Sequence, residues 1–112
     1  YYILYIYLIF VLIIELGKHK NIYVKMGAIE EWEVDLQPCL QLVLKEFGYD
    51  RCLAESNWFV VEGLGKKFLD PFIELMKACD ALGANQEQKD LVFWKNAPKG
   101  DSCHLFFHEF LV

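Results

Sequence analysis

The sequence has no C-x-x-C pair, no cluster of lysines and arginines, no glycine-rich phosphate loop and no Ser-His-Asp spacing. Each gap closes off a class of function. The four cysteines, Cys39, Cys52, Cys79 and Cys103, are scattered, and three fall on apolar faces of expected elements, where cysteine behaves as a small hydrophobe. A disulfide framework is not expected in a chain with this much apolar material, which points to a reducing, cytoplasmic compartment. A net charge of −5 and a pI near 5.1 argue against a nucleic-acid backbone as partner. The basic run Lys18-His19-Lys20 and the pair Lys66-Lys67 read as exposed loop. No internal repeat or low-complexity segment is evident. The apolar run Tyr1–Ile14 falls short of the roughly 20 residues a spanning helix needs, and no basic segment of a secretory leader precedes it. It suits a membrane-associated segment, a buried strand or a hydrophobic helix, and periodicity cannot arbitrate where every position is apolar.

What the chain does have is material for one domain: 112 residues, 55% hydrophobic, 16% aromatic and 24% charged. Asn21 to Gly27 reads as a strand bounded by Asn and Gly, and Ile29 to Val34 as a connecting loop. Leu36, Leu40, Val43, Leu44 and Phe47 recur at helical spacing, with Gln37, Gln41 and Lys45 on the other face. Asp35 is a suitable N-cap, Pro38 fits the first turn, and Gly48 is the stop. Arg51 to Ser56 reads as the next strand, followed by a turn region with Gly63 and Gly65. A helix is expected from about Phe68 to Leu82, with Phe72, Leu75, Met76, Cys79 and Leu82 as its apolar stripe and Gly83 as its end. Asn85 with Gln88 resembles a capping box for a last helix through about Trp94, broken by Asn96-Ala97-Pro98. Strands alternating with amphipathic helices imply parallel pairing, and hence an α/β fold.

The stretch Phe47-Gly48-Tyr49-Asp50-Arg51-Cys52-Leu53-Ala54-Glu55-Ser56-Asn57-Trp58 stands out, because a short apolar strand ends in a polar triplet. It resembles the eighth-strand signature of the amidohydrolase-related TIM-barrel hydrolases. Asn21 to Gly27 is similar to that family's seventh strand, and Phe93 to Lys99, containing Asn96-Ala97, to its closing motif. The three segments stand in the family's order, and the resemblance covers residues 15 to 99. Residues 1–14 form an apolar segment that is not family-like, and 100–112 a non-family tail.

The resemblance implies a partial (β/α)8 barrel, namely the last two β/α units and a C-terminal helix, with the reaction centre at the carboxyl ends of the strands. Family members hydrolyse lactones, amides or related carbonyl compounds, or decarboxylate small-molecule substrates. Many use a divalent, zinc-like metal. The acid that ends the family's eighth strand is the general base toward water. Here Asn57 stands at that position, and an amide cannot accept a proton at neutral pH. Glu55 is the substitute carboxylate: along a strand it shares a face with Asn57, while Ser56 points away. The alternative role for Glu55 is an ion pair with Lys25 on the neighbouring strand.

The family's metal-binding histidines belong to earlier strands, so no metal is expected on this fragment. His19 reads as an exposed loop residue. His104 and His108, four apart, with Cys103 and Glu109 nearby, could form a zinc site. The leading expectation is a hydrolase fragment, inactive in isolation. The alternative is a membrane-anchored or non-catalytic scaffold or interaction module built on Tyr1–Ile14. Uncovered apolar surface and sheet edges predict self-association.

Overall fold

The computed structural model describes residues 2–27, 35–56, 60–63, 65 and 67–100. The elements run α1 (Tyr2–Gly17), β1 (Val24–Met26), α2 (Gln37–Phe47), a single 3-10 turn (Tyr49–Arg51), β2 (Cys52–Ala54), α3 (Val60–Gly63), α4 (Asp70–Ala81), α5 (Gln86–Asp90), a π-helical turn (Leu91–Lys95) and α6 (Ala97–Gly100). Helix dominates, and the two strands form a parallel pair with Val24 opposite Cys52, Lys25 opposite Leu53 and Met26 opposite Ala54. The α/β alternation read from the sequence is therefore present, on strands shorter than expected. Residues 21–23 and 55–56 continue from the paired segments outside the ladder, and Arg51 belongs to the 3-10 turn.

The strands bury Val24, Met26 and Cys52 in one cluster with Leu40, Val43, Leu44 and Phe47 of α2, Leu75, Ala78 and Cys79 of α4, and Val92 of the π turn. Side chains alternate across a strand, so Lys25 and Leu53 face the other way. Helix α1 resolves the ambiguity of the apolar run. It is a helix that continues past residue 14 to Gly17, and Ile9 and Ile13, one turn apart, join the core against α2. None of the helices of the described residues is long and apolar enough to cross a membrane.

Local chemistry explains the helix ends. Asp35 accepts a hydrogen bond from the Gln37 N–H (3.0 Å), although Leu36 occupies the cap position. Gly48 stops α2 at φ +81°, and its N–H bonds to Leu44 O. Gly17 lets α1 end against α2, because a Cβ there would lie 2.9 Å from Glu46 O. Gln37 Nε2 reaches both the main-chain oxygen (2.9 Å) and the carboxylate (3.0 Å) of Glu74, tying α2 to α4. The capping box of α5 is present in full: the Gln88 N–H donates to Asn85 Oδ1 (2.8 Å) and the Asn85 N–H to Gln88 Oε1 (2.9 Å). Lys89 reaches back to Asp80 in an ion pair. The expected last helix shortens to α5, after which the chain widens by one residue, with the Asn96 N–H bonding to Leu91 O. Asn96-Ala97-Pro98 does not break the path; Pro98 sits in the first turn of α6, where its missing N–H costs nothing.

Candidate functional site at the strand ends

The parallel pair has two chemically different ends. At the carboxyl end, the register brings Gly27 beside Glu55. A Cβ on Gly27 would lie 3.2 Å from Glu55 Oε1 and 3.2 Å from its Cγ, so the carboxylate lies over a backbone that no side chain shields. Glu55 is half-buried and shares its face with Lys25, also half-buried, and Leu53, 7% exposed. Three ion pairs occur among the described residues, Lys18–Glu15, Lys77–Glu74 and Lys89–Asp80; the Lys25–Glu55 pair expected from the sequence is not one of them. Gly27 is buried and the Glu55 side chain fills the space over it, so a polar ligand would meet the carboxylate and not the Gly27 backbone.

Asn57, the other expected site residue, lies outside the described residues, as do His104, His108, Cys103, Glu109 and the 29–34 loop. His19 is exposed, as expected. No three His, Cys, Asp or Glu side chains gather among the described residues in a way that could hold a metal ion. Glu55 with a neighbouring lysine is a poor donor set for a divalent cation, which takes several oxygen or nitrogen ligands.

The amino end is a structural lock made by two residues of the resembling motifs. Arg51, 4% exposed, has no carboxylate on its guanidinium among the described residues. Its Nε donates to Phe47 O (2.9 Å), Nη1 to His19 O (2.6 Å) and Ile22 O (3.3 Å), and Nη2 to Gly17 O (2.7 Å) and Glu46 O (3.5 Å). Gly17, Glu46 and Phe47 are in the last turns of α1 and α2, where carbonyls lack intrahelical partners and carry the negative end of the helix dipole. One buried cation thus closes two helix C-termini and fixes the segment leading into β1. The guanidinium carbon also stands 5.2 Å from the centre of the Phe47 ring.

Asn96, fully buried, performs the second part of the lock. Its Nδ2 donates to Tyr49 O (2.6 Å) and Cys52 O (2.9 Å), joining the π turn to the start of β2. Both neighbours are acceptors, so the amide must present its NH2 to them. Its Oδ1 is buried without a hydrogen-bond partner among the described residues.

Neither lock is legible in the sequence, whose pattern puts Arg51 inside a strand and Asn96 in a helix break; Arg51 instead belongs to the 3-10 turn and Asn96 closes the π turn. The available signal was polarity in the wrong place: an arginine directly before the buried pair Cys52-Leu53 needs partners, and main-chain oxygens are the nearest supply.

The three buried thiols complete the electrostatics. Burial pushes Cys39 up to about 12 and Cys79 up to about 11, and raises Cys52 further still. They remain protonated at neutral pH and are poor nucleophiles. No family model, no curated protein and no solved structure matches the chain. The described residues form a small, helix-dominant α/β domain with one parallel strand pair, locked by Arg51 and Asn96 at its amino end and followed by Glu55 at its carboxyl end.

Proposed function

We propose that the chain is the carboxy-terminal part of an amidohydrolase-related (β/α)8 barrel, its last two β/α units, and that it has no turnover by itself. In the full-length relative the reaction is water attack on a lactone, amide or related carbonyl, or decarboxylation, of a small molecule. Glu55 and Asn57 are the residues of this segment that face the reacting centre. Glu55 is its carboxylate, and Asn57 orients a water or substrate oxygen without taking its proton.

The observation that carries this reading is the polarity of the strand pair. β1 and β2 run in parallel with α2 between them in sequence, Glu55 follows the carboxyl end of β2, and the lock of Arg51 and Asn96 sits at its amino end. In barrels of this kind chemistry gathers at the carboxyl ends and stability residues at the other. Inactivity follows from the strands: a barrel's reaction centre is assembled from the ends of several strands, and the described residues supply two. Any divalent metal of the full-length relative rests on residues outside this segment. The buried free thiols fit a reducing, cytoplasmic setting.

Assay of the purified chain on lactone, amide and ester substrates, with and without zinc or manganese, should give background rates; turnover that Glu55→Gln abolishes would overturn the inactivity claim. Reading the coding sequence upstream tests the barrel itself. Six further β/α units beginning with an H-x-H strand are expected, and an in-frame sequence of another fold would refute it.

A second reading, an interaction module, is favoured by one observation: α1 exposes Leu4, Tyr7, Leu8, Val11, Leu12 and Ile14.

A further inference from the structure

We propose that two copies of this chain pair through the outer face of α1, packed antiparallel about a two-fold axis. The inference concerns this chain by itself, where the outer face of α1 is open; in a complete barrel earlier units would lie next to that helix.

Helix α1 has two apolar faces. Ile9 and Ile13 are 4% and 5% exposed and belong to the core. On the opposite side Leu4 (59%), Tyr7 (64%), Leu8 (50%), Val11 (40%) and Leu12 (46%) form one continuous arc at i, i+3, i+4, i+7, i+8 spacing, and Ile14 (37%) lies at its edge. The six leave on the order of 500 Å² uncovered, near the top of the range for the largest patch on a monomer. Two such faces together remove about 1,000 Å² from water, the lower bound for a specific protein–protein interface.

Charge decides the occupant and the orientation. No charged residue occurs before Glu15, so a second copy meets no repulsion along the whole arc. The arc ends at the exposed Lys18–Glu15 ion pair (2.7 Å). Antiparallel packing puts these pairs at opposite ends of the interface and sets the positive end of each helix dipole beside the negative end of the other; parallel packing would set like ends side by side. A lipid surface fits less well, because an interfacial helix carries lysines and arginines along a polar face. α1 has none within its length, and the chain is net −5.

Sedimentation equilibrium across the micromolar range tests the pairing. A monomer–dimer equilibrium is expected, with Leu8→Glu raising the dissociation constant at least about tenfold while the far-UV circular dichroism, and the melting curve at concentrations where the parent is monomeric, stay unchanged. Val11→Gln, a milder change near the axis, guards against a loss of folding and should weaken the dimer in the same direction. In a Cys103→Ser background, a short bismaleimide should link copies carrying Val11→Cys and not copies carrying Leu4→Cys. The two Leu4 positions lie about 15 Å apart along the antiparallel pair. A monomer at every concentration, a dimer indifferent to both substitutions, or equal linking at both cysteines would overturn the proposal. So would a monomeric chain that floats with phosphatidylcholine vesicles.

Discussion

Replacing Arg51 with methionine removes a buried cation and strands the carbonyls it serves. The side chain is 4% exposed and reaches five main-chain oxygens, three of them at 2.9 Å or less. A net charge-assisted hydrogen bond contributes about 1.5–3 kcal/mol, and each buried acceptor left unmet costs about 1–3 kcal/mol. These terms are not additive, because carbonyls in the last turns of α1 and α2 regain some water when the guanidinium leaves. Methionine also keeps most of the packing of the aliphatic stem. Three short bonds to carbonyls, discounted for that recovery, put the loss at about 3–5 kcal/mol. A 112-residue chain has a total stability of roughly 6–17 kcal/mol, so Arg51→Met should consume about a fifth of it or more. The midpoint of thermal unfolding should fall by roughly 10–20 °C. Arg51→Lys separates charge from geometry: a lysine keeps the cation but cannot reach both helix ends, so its loss should be intermediate. Urea titrations followed by circular dichroism measure both. A methionine variant within about 1 kcal/mol of the parent would refute the role given to Arg51, as would a lysine variant worse than methionine.

Asn96→Asp should destabilise by more than Asn96→Ala, by about 1–3 kcal/mol in urea titration, because an ionised carboxylate would face the oxygens of Tyr49 and Cys52. Stability should fall as pH rises above 9, the ordinary value for the thiols. Burial raises their values in the folded chain to about 12 for Cys39 and about 11 for Cys79. The folded state therefore holds protons that the unfolded state releases, and its advantage is complete below 9 and lost as pH climbs through the folded values. Urea midpoints between pH 8 and 10.5 show the slope. Asn85→Ala should cost about 0.5–2 kcal/mol by the same measurement, since the capping box at α5 has both of its bonds.

The sequence exposed those parts of the fold where pattern and punctuation agree. Helix α2 was readable because Leu40, Val43, Leu44 and Phe47 repeat at helical spacing between Asp35 and Gly48, and all four are buried. The capping box of Asn85 and Gln88 and the end of α4 at Gly83 were readable for the same reason: each is a local hydrogen-bonding rule with its own residue types. Helix α1 was not, because a run apolar at every position has no period to read; its inner and outer faces exist only once α2 is packed against Ile9 and Ile13. The strands came out too long because propensity does not see the ladder, which needs a partner at each position. Arg51 and Asn96 were misplaced because their partners are main-chain oxygens far along the chain, Gly17 for one and Tyr49 for the other. Of the two expected site residues, Glu55 follows the end of β2 beside Gly27, and Asn57, with which it was expected to share a face, lies outside the described residues.

Everything assigned to Glu55 depends on two neighbouring strands that run the same way, in one register. Nuclear Overhauser contacts between backbone protons of Val24–Met26 and Cys52–Ala54 measure this directly. Contacts that rise together along both segments, with Gly27 next to Glu55, are the expected pattern. Contacts in the reverse order, or no contacts between the two segments in a folded sample, would contradict it.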